Sequence, residues 1–397
     1  MADPRRRFEE LADRVGEKAR PAGRRAESAA FEEGYWQELR DLFTRDLSSR
    51  ELQRLLTHEA RESLRYFVRE LDFEALASLP WYRRHPRIAW RTFTAIAYRL
   101  SPARRLLFAL GTLLLAWGWA VYVLTPVAGS FGLLVIAGTL LFIVLALELR
   151  DKLVLKSDLE IARQIQFGLL PFEPFDQGAI AIRTAMRPAN TVGGDYFDVV
   201  ELEAGRLAFM VGDVSGKGMP AALLMALLQG SLRTLLTADL RGEEMVAKLN
   251  AHLSGHMPSN RLVTLFYAEL EQDSGVLRYV NAGHNPPLIE RRSGAIERLA
   301  STGMALGILA DAVYTGFETA FEAGDRILIY TDGITEANDV RDEEFGEQRL
   351  EEFLEQQRGI GDQALIDRLL AAVLRFCGPV APRDDMTLMV VSRRPEA

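Results

Sequence analysis

Hydrophobic and polar positions change rhythm several times along this 397-residue chain. Residues 1–30 are mixed in charge and poor in large apolar side chains, the composition of a disordered or loosely helical segment. No apolar stretch follows the early arginines, so these residues do not read as a signal peptide. Over 31–76, within an expected cytoplasmic helical segment at 31–105, apolar residues recur at helical spacing (Leu39, Leu42, Phe43, Leu47, Leu52, Leu55, Leu56, then Leu64, Phe67, Val68, Leu71), which predicts two or three amphipathic helices. Two uncharged runs follow, "LLFALGTLLLAWGWAVYVL" at 106–124 and "GSFGLLVIAGTLLFIVLAL" at 129–147. Each is close to the roughly 20 residues that span a bilayer. With only a tight turn between them, 106–148 is expected to be a transmembrane helical hairpin. Ala116 and Ala120 are a small-xxx-small pair that could let its helices approach.

Residues 149–177 open with "LRDKLVLKSDLEIARQIQFGLLP", a helix stopped by Pro171. Its apolar stripe (Leu153, Leu155, Leu159, Ile161 or Ala162, Ile165, Leu169) suits either a dimeric coiled linker or a helix packed on its own domain. From 178 to 397 the rhythm becomes that of short strands, among them "RLAFMVGDV", "LVTLFYAELE", "RILIYTDG" and "MTLMVVSR". Helical stretches are expected at 218–237, 242–256, 346–357 and 361–376. Strands and helices are segregated rather than alternating, so the fold class is α+β.

Charge sharpens this division. Residues 1–105 carry 22 Lys and Arg against 17 Asp and Glu, and the remainder 25 against 38. An acidic C-terminal domain argues against a nucleic-acid partner and suits divalent cations. No acid lies between Ala75 and Arg105, where seven arginines gather, and Arg150, Lys152 and Lys156 follow the second apolar run. Basic flanks on both sides of the hairpin predict a multi-pass protein of the cell (inner) membrane with both termini cytoplasmic. The single cysteine, Cys377, excludes an intrachain disulfide and fits a reducing compartment.

The strand-like run Leu207–Val211 leads straight into "GDVSGKG". An ionised carboxylate beside a buried strand is costly unless it is paired or binds a metal. Asp213 therefore needs partners, and three other acidic spots share its setting: Asp195 and Asp198 in "VGGDYFD", Asp332 in "YTDG", and Asp384 and Asp385 in "RDDMT". Three of the four spots sit where a strand starts or stops, so they can meet at one rim of a sheet. Glycines beside Asp195, Asp213 and Asp332 permit close backbone approach. Hard oxygen donors without His or Cys suit Mg²⁺ or Mn²⁺, and four carboxylates could hold two such ions.

The motifs "RPANTVGGDYFDV", "GDVSGKGMPAALLM", "NAGHNPPLI", "YTDGITEA" and "DDMTL", in this order, resemble the bacterial SpoIIE/RsbU-type serine/threonine phosphatases of the PP2C (PPM) superfamily. "LEIARQIQFGLLP" resembles the linker preceding that domain. The resemblance covers about 157–393 and implies an α-β-β-α sandwich with two Mn²⁺ or Mg²⁺ ions. It implies hydrolysis of a phosphoserine or phosphothreonine by metal-activated water, without a phosphoenzyme. Carried over by motif, Asp213 would bridge the ions with the Val214 carbonyl as a further ligand, Asp195 would bind on one side, and Asp332 and Asp384 would complete the other. Asp213 and Asp332 are thus the candidate catalytic residues, with Asp385 supporting or turn-forming. Substrate-binding candidates are Arg187, Lys217 and His284, with solvated surface charge or loop structuring as the competing roles. The implied substrate is a phosphoprotein, a STAS-type anti-sigma-factor antagonist. Homodimerisation through the linker and transmembrane helices is left open. The rival readings are a catalytically silent partner-binding module of this fold and a phosphatase of small phosphorylated molecules. "CGPVAPR" at 377–383 has the Cys-x5-Arg spacing of thiol phosphatases, but Pro379 and Pro382 lack the amides that cradle a phosphate.

Overall fold

The computed structural model describes residues 93–94, 96–124 and 128–394. Expectations for residues 1–92 and for the turn after Leu124 lie outside them. The described residues fall into two compact units, divided between Glu148 and Leu149.

In the first unit, α1 (Pro102–Leu124) and the first half of α2 (Ala128–Leu169) form an antiparallel hairpin. Both helices are long and apolar enough to cross a membrane. Their outward faces are large and apolar, with Leu106, Trp117, Phe131 and Phe142 exposed. The seam between them is small: Gly111 and Gly118 are buried in α1, Ala137 and Val144 in α2. A Cβ on Gly111 would press on Leu141, and one on Gly118 on Leu134. Both pairs are seven apart, the spacing that keeps one face toward a neighbour along a gently crossed helix pair. Ala116 and Ala120 are exposed, which corrects the small-residue expectation: the contact runs through glycines one heptad apart. An Arg104–Glu148 ion pair at 3.0 Å closes the seam where the apolar runs end.

The second unit holds two antiparallel sheets. Numbered in chain order, with β1 at Phe175–Gln177, β6 at Val276–Ala282, β7 at Leu288–Glu290, β8 at Ile296–Arg298 and β9 at Phe317–Ala320, one has the order β1-β2-β11-β10-β7-β8 and the other β3-β4-β5-β6-β9. The strands that matter below are β2 (Ile180–Arg187), β3 (Tyr196–Leu202), β4 (Arg206–Val214), β5 (Val263–Glu271), β10 (Arg326–Tyr330) and β11 (Met386–Arg393). Helices α3 (Met219–Thr237) and α4 (Gly242–His256) cover the second sheet, and α7 (Asp362–Cys377) the first, with α5 (Asp332–Thr335) and α6 (Gly346–Gln356) beside it. This is the four-layer sandwich.

Strand alternation builds it. In β10, Ile327 and Ile329 join the core between the sheets, while Leu328 and Tyr330 join the core under α6 and α7. In β11, Met389 and Val391 face one way, and Met386, Leu388 and Val390 the other. A strand buried on both faces must be apolar at every position, which explains why "RILIY" shows no polar alternation. Helix α3 is also apolar enough for a membrane by composition, but it buries Ala221, Met225, Leu228, Leu232 and Leu236 as a stripe in the domain core.

Asp198 fixes α3 to the sheet. Fully buried, it accepts two hydrogen bonds from Arg233 at 2.6 and 2.7 Å, one from the Tyr196 hydroxyl at 2.9 Å and one from the Val199 amide. Arg233→Ala strands this carboxylate. Because Arg233 itself is half exposed, the expected loss is about 2–3 kcal/mol, measurable by chemical denaturation of the full-length protein in detergent.

Candidate active site

Four strand ends from both sheets meet at one rim. Asp195 immediately precedes β3, and Asp213 and Val214 end β4. Asp332 follows β10, and Asp384 and Asp385 precede β11. Register aligns the ends within each sheet, Tyr196 opposite Gly212 and Tyr330 opposite Leu388.

Hydrogen bonds then tie the sheets together across the rim. Asp195 Oδ2 accepts from the Thr331 hydroxyl at 2.9 Å and the Thr387 hydroxyl at 2.5 Å. Asp385 accepts from the backbone amides of Ala189 and Gly194, each at 2.8 Å. Glycines allow this closeness. A Cβ on Gly193 would overlap the Asp385 carboxylate, one on Gly194 the Val214 carbonyl, and one on Gly333 the Asp385 carbonyl. The glycines of "VGGD" and "TDG" are thus required by the neighbouring motif rather than by their own loops.

The carboxylates raise one another's proton affinity. Burial, then the charges of Asp332 and Asp384, push Asp213 up to about 7. Burial, then Glu336 and Asp384, push Asp332 up to about 6. Asp195 lies well above the carboxylate range through burial and the charges of Asp213 and Asp385. Asp385 is raised mainly by burial, with its two amide bonds opposing. Such a cluster of concentrated negative charge and hard oxygen donors fits Mg²⁺ or Mn²⁺. Among the described residues, no three acidic, His or Cys side chains are grouped as a ready-made chelate. Three of the carboxylates are engaged locally, Asp195 by the threonines, Asp385 by the two amides and Asp384 by Lys217 at 2.9 Å.

Of the other sequence candidates, Lys217 reaches Asp384 and the Arg383 carbonyl, at the rim. Arg187 ends β2 opposite Met386, exposed and without a hydrogen-bonding or carboxylate partner among the described residues. His284 is 2 % exposed. Its Nδ1 lies 2.9 Å from the Thr264 hydroxyl, and Thr264 pairs with Asp213 in the sheet. Burial pushes its imidazole down to about 4, so the ring is neutral and lies beneath the rim rather than on it. Cys377 is buried at the end of α7, and burial pushes its thiol up, opposite to what a nucleophile needs.

Gln166 went unnoticed in the sequence. Buried on α2, its side-chain amide donates to the Gly193 carbonyl at 2.7 Å and accepts from the Gly193 amide at 3.1 Å. The apolar stripe, for which packing on its own domain was one of two expectations, is largely exposed, with Leu153, Leu155, Ile161 and Ile165 all more than half accessible. A lone polar residue on an otherwise apolar stripe was the available signal.

Residues 203–394 match the family model described as "Stage II sporulation protein E (SpoIIE)". The chain is 28% identical over 242 residues to phosphoserine phosphatase RsbU of Bacillus subtilis, covering 60% of this chain and 71% of RsbU. It is 29% identical over 276 residues to protein IcfG of Synechocystis sp., covering 63% of this chain but only 43% of IcfG. Among solved structures, the SiaA-PP2C domain of Pseudomonas aeruginosa shares the fold, with a TM-score of 0.54 at 18% identity over 62% of this chain and 99% of that domain.

The raised carboxylates predict a pH response. Folded, these groups bind protons more readily than when unfolded, so stability of the metal-free protein falls as pH rises from about 4, the ordinary carboxylate range, toward the value near 7 reached by Asp213. Thermal unfolding of metal-free protein should give a lower Tm at pH 7.5 than at pH 5, and Asp213→Asn should flatten the difference. Mn²⁺ should raise Tm more at the higher pH.

Proposed function

We propose that this chain, whose residues 203–394 match the SpoIIE family model, is a membrane-anchored, metal-dependent phosphatase of phosphoserine or phosphothreonine in a regulatory protein. The observation that supports this most is the convergence of Asp195, Asp213, Asp332 and Asp384 on one rim cross-linked by Asp195 and Asp385. Asp213, on the β4 end between the other acids, would hold two Mn²⁺ or Mg²⁺ ions in common. Asp195 and the Val214 carbonyl would hold one of them, and Asp332 and Asp384 the other. When bound, such ions polarise phosphoryl oxygens and acidify water. Asp385 keeps the Gly194 loop in place through its amide bonds, and Thr331 and Thr387 orient Asp195. Arg187, exposed at the same rim and without a carboxylate partner among the described residues, would attract the phosphate dianion. Lys217 supplies a second positive charge once it leaves Asp384. His284 sets the β5 end against Asp213 through Thr264.

The substrate class that fits the family is a phosphorylated STAS-type anti-sigma-factor antagonist, with small phosphorylated molecules the alternative. Asp213→Asn and Asp332→Asn should each lower Mn²⁺-dependent turnover of a phosphoserine protein by on the order of a thousandfold, with the domain still folded. Cys377→Ala should leave turnover within a factor of about two. Near-normal activity in folded, metal-replete Asp332→Asn would refute the site.

Apolar helices α1 and α2, with arginines outside both, support an orientation that keeps the phosphatase domain in the cytoplasm. Reporter fusions to either terminus should be active only as cytoplasmic reporters, and a tag at Val127 should be labelled only from outside. A C-terminal reporter found on the far side would rule this orientation out.

A further inference from the structure

A cleft of about 890 Å³ lies in the second unit at the end of the first sheet opposite the acids. The two central strands run from one to the other. Arg326 opens β10 at the cleft, and Asp332 follows its far end, roughly 20 Å away at strand rise. Ser392, paired with Arg326, lies at the cleft end of β11, and Asp385 precedes its start.

Seven arginines line the cleft, and its carboxylates are already engaged. Arg326 pairs with Glu290, donates to the Ile360 carbonyl and lies 3.9 Å from Asp362. Arg291 takes Asp325 at 2.9 Å and Glu297 at 2.6 Å. Arg183 and Arg394 share Asp176. Three guanidinium groups remain without a carboxylate among the described residues. Arg393 donates only to the carbonyls of Phe321, Gln272 and Asp273. Arg358 donates to the Gly294 carbonyl. Arg292 packs its stem on Gly324, and its guanidinium has no hydrogen-bond partner among the described residues. Arg292 and Arg358 are exposed.

Like charges gathered around one concavity repel unless an anion joins them. Arg393 is committed to its carbonyls, whereas the exposed guanidinium forks of Arg292 and Arg358 can each take the oxygens of a separate phosphate. The cleft volume is that of a small-molecule site. We propose that this cleft binds a small anion carrying two or more phosphate groups, either an inorganic polyphosphate or a nucleoside polyphosphate. Binding there is independent of the phosphatase reading, since the residues involved touch none of the rim acids.

Titration calorimetry on the full-length protein in detergent, in metal-free buffer at about 0.15 M salt, tests it with sodium tripolyphosphate and with ATP. Saturable binding of one equivalent is expected. The double variant Arg292→Ala/Arg358→Ala should weaken it by about tenfold or more, whereas Lys217→Ala, at the acid rim, should leave it unchanged. Both arginines are exposed, so the double variant should keep the wild-type Tm. Equal affinities assign recognition to the phosphate chain; tighter ATP binding adds the nucleoside. Absence of saturable binding by either anion, or affinity unaltered in the folded double variant, would overturn the assignment.

Discussion

Everything at the rim depends on keeping several carboxylates side by side, largely out of water, where two sheets meet. Isolated, such groups would take up protons or force the sheets apart. Here the cost is offset by directed donors. Two amides hold Asp385 and two hydroxyls hold Asp195, and each bond crosses from one motif to another. The same bonds that make the charge tolerable therefore align the sheets. The glycines follow from this, because the donors reach the carboxylates only where no Cβ stands between the loops.

Much of this was legible beforehand. Strand runs such as "RLAFMVGDV" and "RILIYTDG" announced themselves by length and apolar content, and the structure places strands at Arg206–Val214 and Arg326–Tyr330. The acids stood at strand ends, so their convergence followed once the strands were paired. What stayed hidden were roles set by a distant partner. Thr331 and Thr387 lie inside the quoted motifs, yet nothing local says that both hydroxyls turn to Asp195. Gln166 sits in a helix whose periodicity pointed to its apolar neighbours, and it is the amide that is buried. Its one trace was a polar residue interrupting an apolar stripe, which does not say what that residue bonds.

The hairpin shows the same limit from the other side. Hydropathy located both helices, but the contact face was misassigned because alanine pairs are common in any apolar helix. Gly111 and Gly118 are buried since their partners, Leu141 and Leu134, are large and need the room. Complementarity of size between two helices is a property of the pair.

The crossing bonds also impose an order on biosynthesis. Asp385 and Gly194 are 191 residues apart in the chain, and β11 is inserted between β2 and β10 rather than added at an edge. While the polypeptide is still being translated, the first sheet has a gap at its centre and the GGD loop lacks its acceptor. Contacts so distant close late, after local elements have formed. A nascent chain can thus have both apolar helices made and most of this domain synthesised while its acidic rim remains unassembled, so that β11 acts as the latch that closes the rim.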